Sequence, residues 1–179
     1  MKFPINSLLM VVSLSFLIGS PIAQAAKSTV KSKVKPAVVS FMPAVYKVAL
    51  AKDVSMDDAV ESMKLRANAL NLKLVAELPL SSQVEAMIGG KQRRMTIYQF
   101  CDALTAKDLV SVNVDFAVFL PCRIALIEDK NGQAWLIMMD MDVKAMAKQS
   151  KMSPELEQKI STVRSDLIEI MKAGANGDL

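Results

Sequence analysis

The run Phe119-Leu120-Pro121-Cys122-Arg123-Ile124-Ala125-Leu126-Ile127 leads through Glu128-Asp129-Lys130-Asn131-Gly132 into Gln133-Ala134-Trp135-Leu136-Ile137-Met138-Met139. Two nearly continuous apolar stretches around a charged turn constrain the fold more than any other feature. Each is short enough to be a strand, and such strands bury both faces at least in part. Asn131-Gly132 predicts a two-residue type I′ turn, because both residues tolerate positive φ and that turn matches strand twist. Pro121 donates no ladder hydrogen bond, so it belongs among the first residues of its strand.

The other elements are arranged to cover this hairpin. Phe41–Ala51 alternates loosely and predicts a first strand. Ser55 and Asp58 form a capping-box pattern for a helix whose apolar face is Met56, Ala59, Val60, Met63, Ala67 and Leu70, with Asn71 as its stop. Leu72–Leu80 predicts a second strand with Leu72, Leu74, Ala76 and Leu78 on one face, ended by Pro79. Ser81–Ile88 predicts a short helix closed by Gly89-Gly90. Lys91–Arg94 reads as a solvated basic loop, because Gly89-Gly90-Lys91 lacks P-loop spacing and opens a strand. Met95–Phe100 predicts a third strand running into Cys101, and Asp102 caps a helix from Ala103 to about Val110. Val112–Asp115 reads as a connection or a turn, and Asp142–Ser150 as a short helix or turn. The last helix has Ser153 as N-cap, Pro154 in its first turn, and a stripe of Leu156, Ile160, Val163, Leu167 and Ile170. Gly174 is its expected stop, with residues 175–179 as a loose tail. This order predicts an α+β fold: one mainly antiparallel sheet with helices packed on one face, plus a C-terminal amphipathic helix.

The ends suggest a destination. Lys2, the apolar run Leu8–Ile18, the breakers Gly19-Ser20-Pro21 and the small-x-small Ala23-Gln24-Ala25 predict a signal peptide over residues 1–25, cleaved after Ala25. The expected product is a soluble periplasmic protein of 154 residues, with no stable membrane insertion. Residues 26–40 read as a disordered basic linker, 41–150 as the α+β domain and 151–174 as the C-terminal helix. Lys2, Lys27, Lys31, Lys33 and Lys35 account for five of the 22 basic residues; the remaining 17 face 18 acidic ones. The folded part is therefore near neutral, which argues against nucleic acid as a partner. The chain has no histidine, which excludes Ser-His-Asp and Cys-His constellations and histidine metal ligation.

Cys101 and Cys122 are the chemical candidates. Both fall at strand ends, and an oxidising compartment permits a disulfide. A staple between neighbouring strands would stabilise by roughly 3 kcal/mol in the chain-entropy account. Two separate buried thiols are a second reading. A redox-active pair is a third: Arg123, beside Cys122, would favour its thiolate, although C-x-x-C spacing is absent. Met138, Met139, Met141, Met146 and Met152 cluster after Trp135, and thioethers with thiolates suit copper(I). Ordinary core filling is the plainer account of methionines. The acidic pairs Asp57-Asp58, Glu128-Asp129 and Asp140/Asp142 read as caps and solvated loops rather than as acid/base sites.

The order of Cys101 after a strand, a helix, then Leu120-Pro121-Cys122-Arg123-Ile124 and a charged Asn-Gly turn resembles the secreted proteobacterial branch of domain-of-unknown-function family 302. Met56-Asp57-Asp58-Ala59-Val60 fits that family's opening, and the resemblance covers roughly Phe41–Met141. Asp102 stands where the family pattern has asparagine. The resemblance implies a compact α+β domain that associates as a homodimer, and it transfers no reaction. Relatives in sulfur-oxidising bacteria imply a link to sulfur metabolism. The function expected from all this is a non-catalytic module with no cofactor, binding a small apolar ligand or a protein partner. The alternative is a thiol-redox or copper(I)-handling protein that uses Cys101 and Cys122.

Overall fold

A computed structural model describes residues 44–178. The expected leader, the linker and the strand start at Phe41–Pro43 lie outside the described residues. Five strands form one antiparallel sheet: β1 (Val45–Ala49), β2 (Lys73–Pro79), β3 (Met95–Cys101), β4 (Cys122–Glu128) and β5 (Ala134–Met139). Their spatial order is β1-β5-β4-β3-β2. The predicted hairpin is the β4–β5 pair near the centre, with Leu126 opposite Leu136 and Ile124 opposite Met138. The helices are α1 (Met56–Ala69), α2 (Leu80–Ile88), α3 (Ala103–Val112), α4 (Val143–Ser150) and α5 (Pro154–Asn176). The α+β reading holds.

One sheet face is covered and the other is not. Tyr98, Phe100, Ile124, Leu126, Leu136 and Met138 point to the covered face and are buried against α1 and α5. Ala59, Val60, Met63 and Ala67 come from α1; Leu167, Ile170, Met171 and Ala175 come from α5. This is the dyad alternation of a strand meeting the helical stripe. Further along α5, Leu156 and Ile160 join Leu109 of α3, Phe116 and Val143 in a smaller second cluster. One stripe on α5 therefore ties two apolar clusters together. Among the described residues, no helix is long and apolar enough to cross a membrane.

Several local expectations change. The β4–β5 loop is not a two-residue turn: Glu128 pairs with Ala134, leaving five loop residues. Positive φ occurs at Gly132 (81°) but not at Asn131. Asp129 decides this geometry, because its side chain accepts from the backbone N–H of Asn131 (2.8 Å) and Gln133 (3.1 Å) and from Trp135 Nε1 (3.0 Å). In β2 the register slips between Leu74 and Ala76. Leu74 faces the core opposite Phe100, but Leu78 lies opposite Ile97 on the uncovered face. One extra residue reverses every side chain beyond it, so the single apolar face predicted for β2 is split in two. The connection after α3 is a 3-10 turn over Val114–Phe119. A cis peptide joins Leu120 to Pro121, just before β4.

Gly174 is not the end of the last helix. That helix runs on to Asn176, and Gly177 (φ 70°) caps it. A β-carbon at Gly174 would sit 2.6 Å from Met63 Cγ and 3.0 Å from the carbonyl oxygen of Ala59. Glycine here lets α5 approach the backbone of α1. The expected loose tail is docked as well: Ala175 is buried, and its carbonyl accepts from Ala51 N–H at 2.8 Å.

Candidate functional site

The sulfur residues sit where three strands end on the same side. β3 finishes at Cys101, β4 begins at Cys122, and β5 finishes two residues before Met141. Because the strands are antiparallel, these positions share one end of the sheet. Phe100, not Cys101, is directly opposite Cys122, so the cysteines are offset by one residue and the alternation of side chains would part them. The chain turns into α3 at that point, and both cysteines line one small apolar pocket of about 30 Å³ with Phe119, Leu120 and Met141. Both are free thiols in the structure.

Burial, then the neighbouring Cys101, pushes the Cys122 thiol up to about 11. Arg123 pulls in the opposite direction, as expected from the sequence, but burial outweighs it. Cys101 is raised too, by burial and then by the charge of Asp102. A thiol held above its ordinary range carries little thiolate near neutral pH, which weakens the case for a reactive pair. Arg123 itself is exposed, and its guanidinium reaches the Val118 carbonyl at 3.4 Å.

Asp102 shapes the pocket by holding the start of α3. Its carboxylate accepts from the backbone N–H of Leu104 (3.1 Å) and Thr105 (3.3 Å) and from the Thr105 hydroxyl (2.6 Å). The Thr105 hydroxyl bond leads in holding its carboxyl below the ordinary range. A depressed folded-state value stabilises above the unfolded value, and that contribution is lost as pH falls through the folded one. Asp102→Asn is therefore expected to flatten the acid limb of a stability profile below about pH 4. Asp102→Ala should cost about 1 kcal/mol at neutral pH. Urea unfolding from pH 2 to 7 measures both, and identical acid limbs for wild type and D102N would reject the assignment.

The five methionines do not form one cluster. Met138 is in the main core, Met139 faces the uncovered side, and Met146 and Met152 pack around the second cluster. Among these five, Met141 alone lines the pocket that both cysteines line. Among the described residues, no three histidine, cysteine, aspartate or glutamate side chains gather as a metal site.

The acidic pairs are occupied elsewhere. Asp58 accepts from the hydroxyl of Ser55, the N-cap of α1, Asp142 caps α4, and Asp57 binds Arg94. Asp140 grips Arg164 through both oxygens, at 2.6 and 2.9 Å. Arg94 is therefore not a solvated loop residue: besides Asp57 it contacts the Tyr98 hydroxyl at 3.4 Å.

A second concavity, which sequence reasoning did not locate, lies on the uncovered sheet face. It measures about 270 Å³ and is half open; Val45, Ile97, Ala125, Ile137, Met139 and Arg123 line it, and at the sheet end Met138 and Leu167 reach it from the covered side. The signal for it lay in the sequence as the unbroken apolar runs Ile124–Ile127 in β4 and Ala134–Met139 in β5, more than one packed face requires. Phe119, Cys122 and Met141 border both this groove and the sulfur pocket. Among the described residues, no carboxylate forms an ion pair with Arg123; the described pairs involve other arginines and lysines.

No protein of curated function matches the chain. The crystal structure of an uncharacterized conserved DUF302 protein from Bacillus stearothermophilus superimposes with a TM-score of 0.58 at 15% identity, over 72% of this chain and 96% of that one. At that identity the likeness shows a shared fold. The sequence pattern of the domain of unknown function DUF302 matches residues 46–174, from β1 almost to the end of α5. The C-terminal helix, which lies beyond the stretch Phe41–Met141 that carries the resemblance, is thus part of the domain, and the chain belongs to the DUF302 family.

Proposed function

We propose that this protein is an exported, non-catalytic binding module that holds a small apolar ligand with an anionic end on its uncovered sheet face. The groove lined by Ile97, Ala125, Ile137 and Met139, with the Arg123 guanidinium at its edge and no carboxylate paired with it among the described residues, carries this reading. Ligand sites are concave and mostly apolar, with a few polar groups that fix orientation. A volume of about 270 Å³ suits a small molecule. Arg123 supplies the charge. Export rests on the leader pattern of residues 1–25 and would place the protein in the secreted branch of its family. A mature mass beginning at Ala26 is the expected sign of it.

Anilinonaphthalene sulfonate, an apolar ring system with one anionic group, is a suitable probe. Wild-type protein is expected to enhance its fluorescence saturably, with decanoate displacing it. Ile137→Glu should weaken binding at least about tenfold, equivalent to about 1.4 kcal/mol, with an unchanged unfolding midpoint. Arg123→Gln should weaken decanoate more than decanol. Equal binding by wild type and I137E would overturn the reading. So would a dimer mass that I137E converts to monomer, which would assign the face to a second copy.

A further inference from the structure

We propose that, in the reduced protein, Cys101, Cys122 and Met141 form a three-sulfur site for copper(I). The convergence of three strand ends is the structural basis. Cys101 closes β3, Cys122 opens β4, and Met141 follows β5, and all three line one pocket of about 30 Å³. Apolar side chains form most of its wall, among them Leu109, Phe119, Leu120 and Ile160.

The donor set selects the ion. Two thiolates and a thioether are soft ligands, and soft ligands favour copper(I) over hard cations. The oxygen side chains at the pocket are Asp102 and Thr105. Both are committed, since the Asp102 carboxylate takes two backbone N–H groups and the Thr105 hydroxyl. Zinc prefers four ligands drawn from cysteine, histidine and carboxylate. The chain offers no histidine, and the nearby carboxylate is occupied. A monovalent ion satisfied by three sulfurs fits better.

Copper(I) on two thiolates leaves a single negative charge, next in the chain to the cationic Arg123. In the binding step two S–H bonds release two protons to water. Two copper–thiolate bonds form, and a Met141 lone pair completes the third. Copper stays monovalent and no electron moves. Affinity therefore rises with pH, because bound metal displaces protons. Oxidation of the two thiols to a disulfide removes two of the donors.

The test is a competition titration of the full-length mature protein, reduced beforehand, with copper(I) held by bicinchoninate under anaerobic conditions. Wild type is expected to withdraw one equivalent, and X-ray absorption should show a shell of three sulfurs. Met141→Leu should weaken binding at least about tenfold, a size that even supporting groups around a metal reach. Met146→Leu, which alters the neighbouring apolar cluster without touching the pocket, should bind as wild type does. Matching unfolding midpoints establish that both variants fold. Failure of the wild type to take copper(I) from the competitor overturns the proposal. So does M141L affinity equal to wild type, a two-sulfur shell, or zinc(II) bound as tightly as copper(I). None of these outcomes depends on the groove reading, which is tested with dye and decanoate.

Discussion

Leu136→Ala is expected to destabilise the protein by about 3–4 kcal/mol, in the upper half of the ~2–5 kcal/mol range for buried leucine truncations. Leu136 is fully buried on β5, between Val48 of β1 and Leu126 of β4. Its Cδ1 lies 3.1 Å from where a β-carbon on Gly174 would stand. The cost of truncation depends on how far the surroundings collapse into the space left. Here they are the backbone of three paired strands and a helix whose nearest residue has no side chain, so little can move in. Against a typical native stability of about 5–15 kcal/mol, such a loss is a large fraction. Urea unfolding at neutral pH measures it. A loss under about 1 kcal/mol would mean that the covered face is packed differently.

The second large effect has the opposite origin. Gly174→Ala would gain about 1 kcal/mol of helix propensity at an exposed site. At this site the added methyl meets Met63 Cγ at 2.6 Å and the Ala59 carbonyl oxygen at 3.0 Å. Met63 is fully buried and has nowhere to swing. The carbonyl belongs to α1 and moves only if that helix moves. Overpacking of this kind costs about 1–3 kcal/mol and occasionally more. We expect a net destabilisation of about 1–2 kcal/mol, and a larger one for valine. The two sites also couple. In a Leu136→Ala background one of the three contacts at residue 174 is gone, so the double variant should lose less than the sum of the single losses. An interaction of about 0.5–1 kcal/mol is expected. A stabilised G174A protein would refute the close approach of the two helices.

Most of the architecture could be read from the chain because periodicity and caps are local. Ser55, Asp102 and Ser153 each cap the helix expected of them. The alternation in β3 buries Thr96, Tyr98 and Phe100 on one face. What escaped was decided by distant partners. Asn131-Gly132 carries a strong turn signal, yet Asp129 overrides it through a bond to Trp135, six residues on. Glycine is selected both at helix ends and at close contacts, and only the presence of α1 shows which applies at residue 174. The slip in β2 follows from pairing with β3, which no window within β2 contains. For the candidate site, the cysteines and Arg123 were visible as residue types. That burial would outweigh Arg123, and that Met141 alone of five methionines would join the thiols, depends on how three strand ends meet. The open groove was hidden for the same reason: a sequence shows apolar positions but not which of them stay uncovered.

The strand order has a consequence for how the chain is made. β1 and β2 are the first strands to be synthesised, and they occupy opposite edges of the sheet, about 19 Å apart at ordinary strand spacing. β2 gains its partner as soon as β3 is made, but β1 waits for β5, the last strand. A growing chain therefore carries β1 without its neighbour until the whole meander exists. The last-made segment, α5, then clamps the assembly. A chain cut before β5 would leave β1 without its partner strand, and one cut before α5 would leave the core side of α1 uncovered.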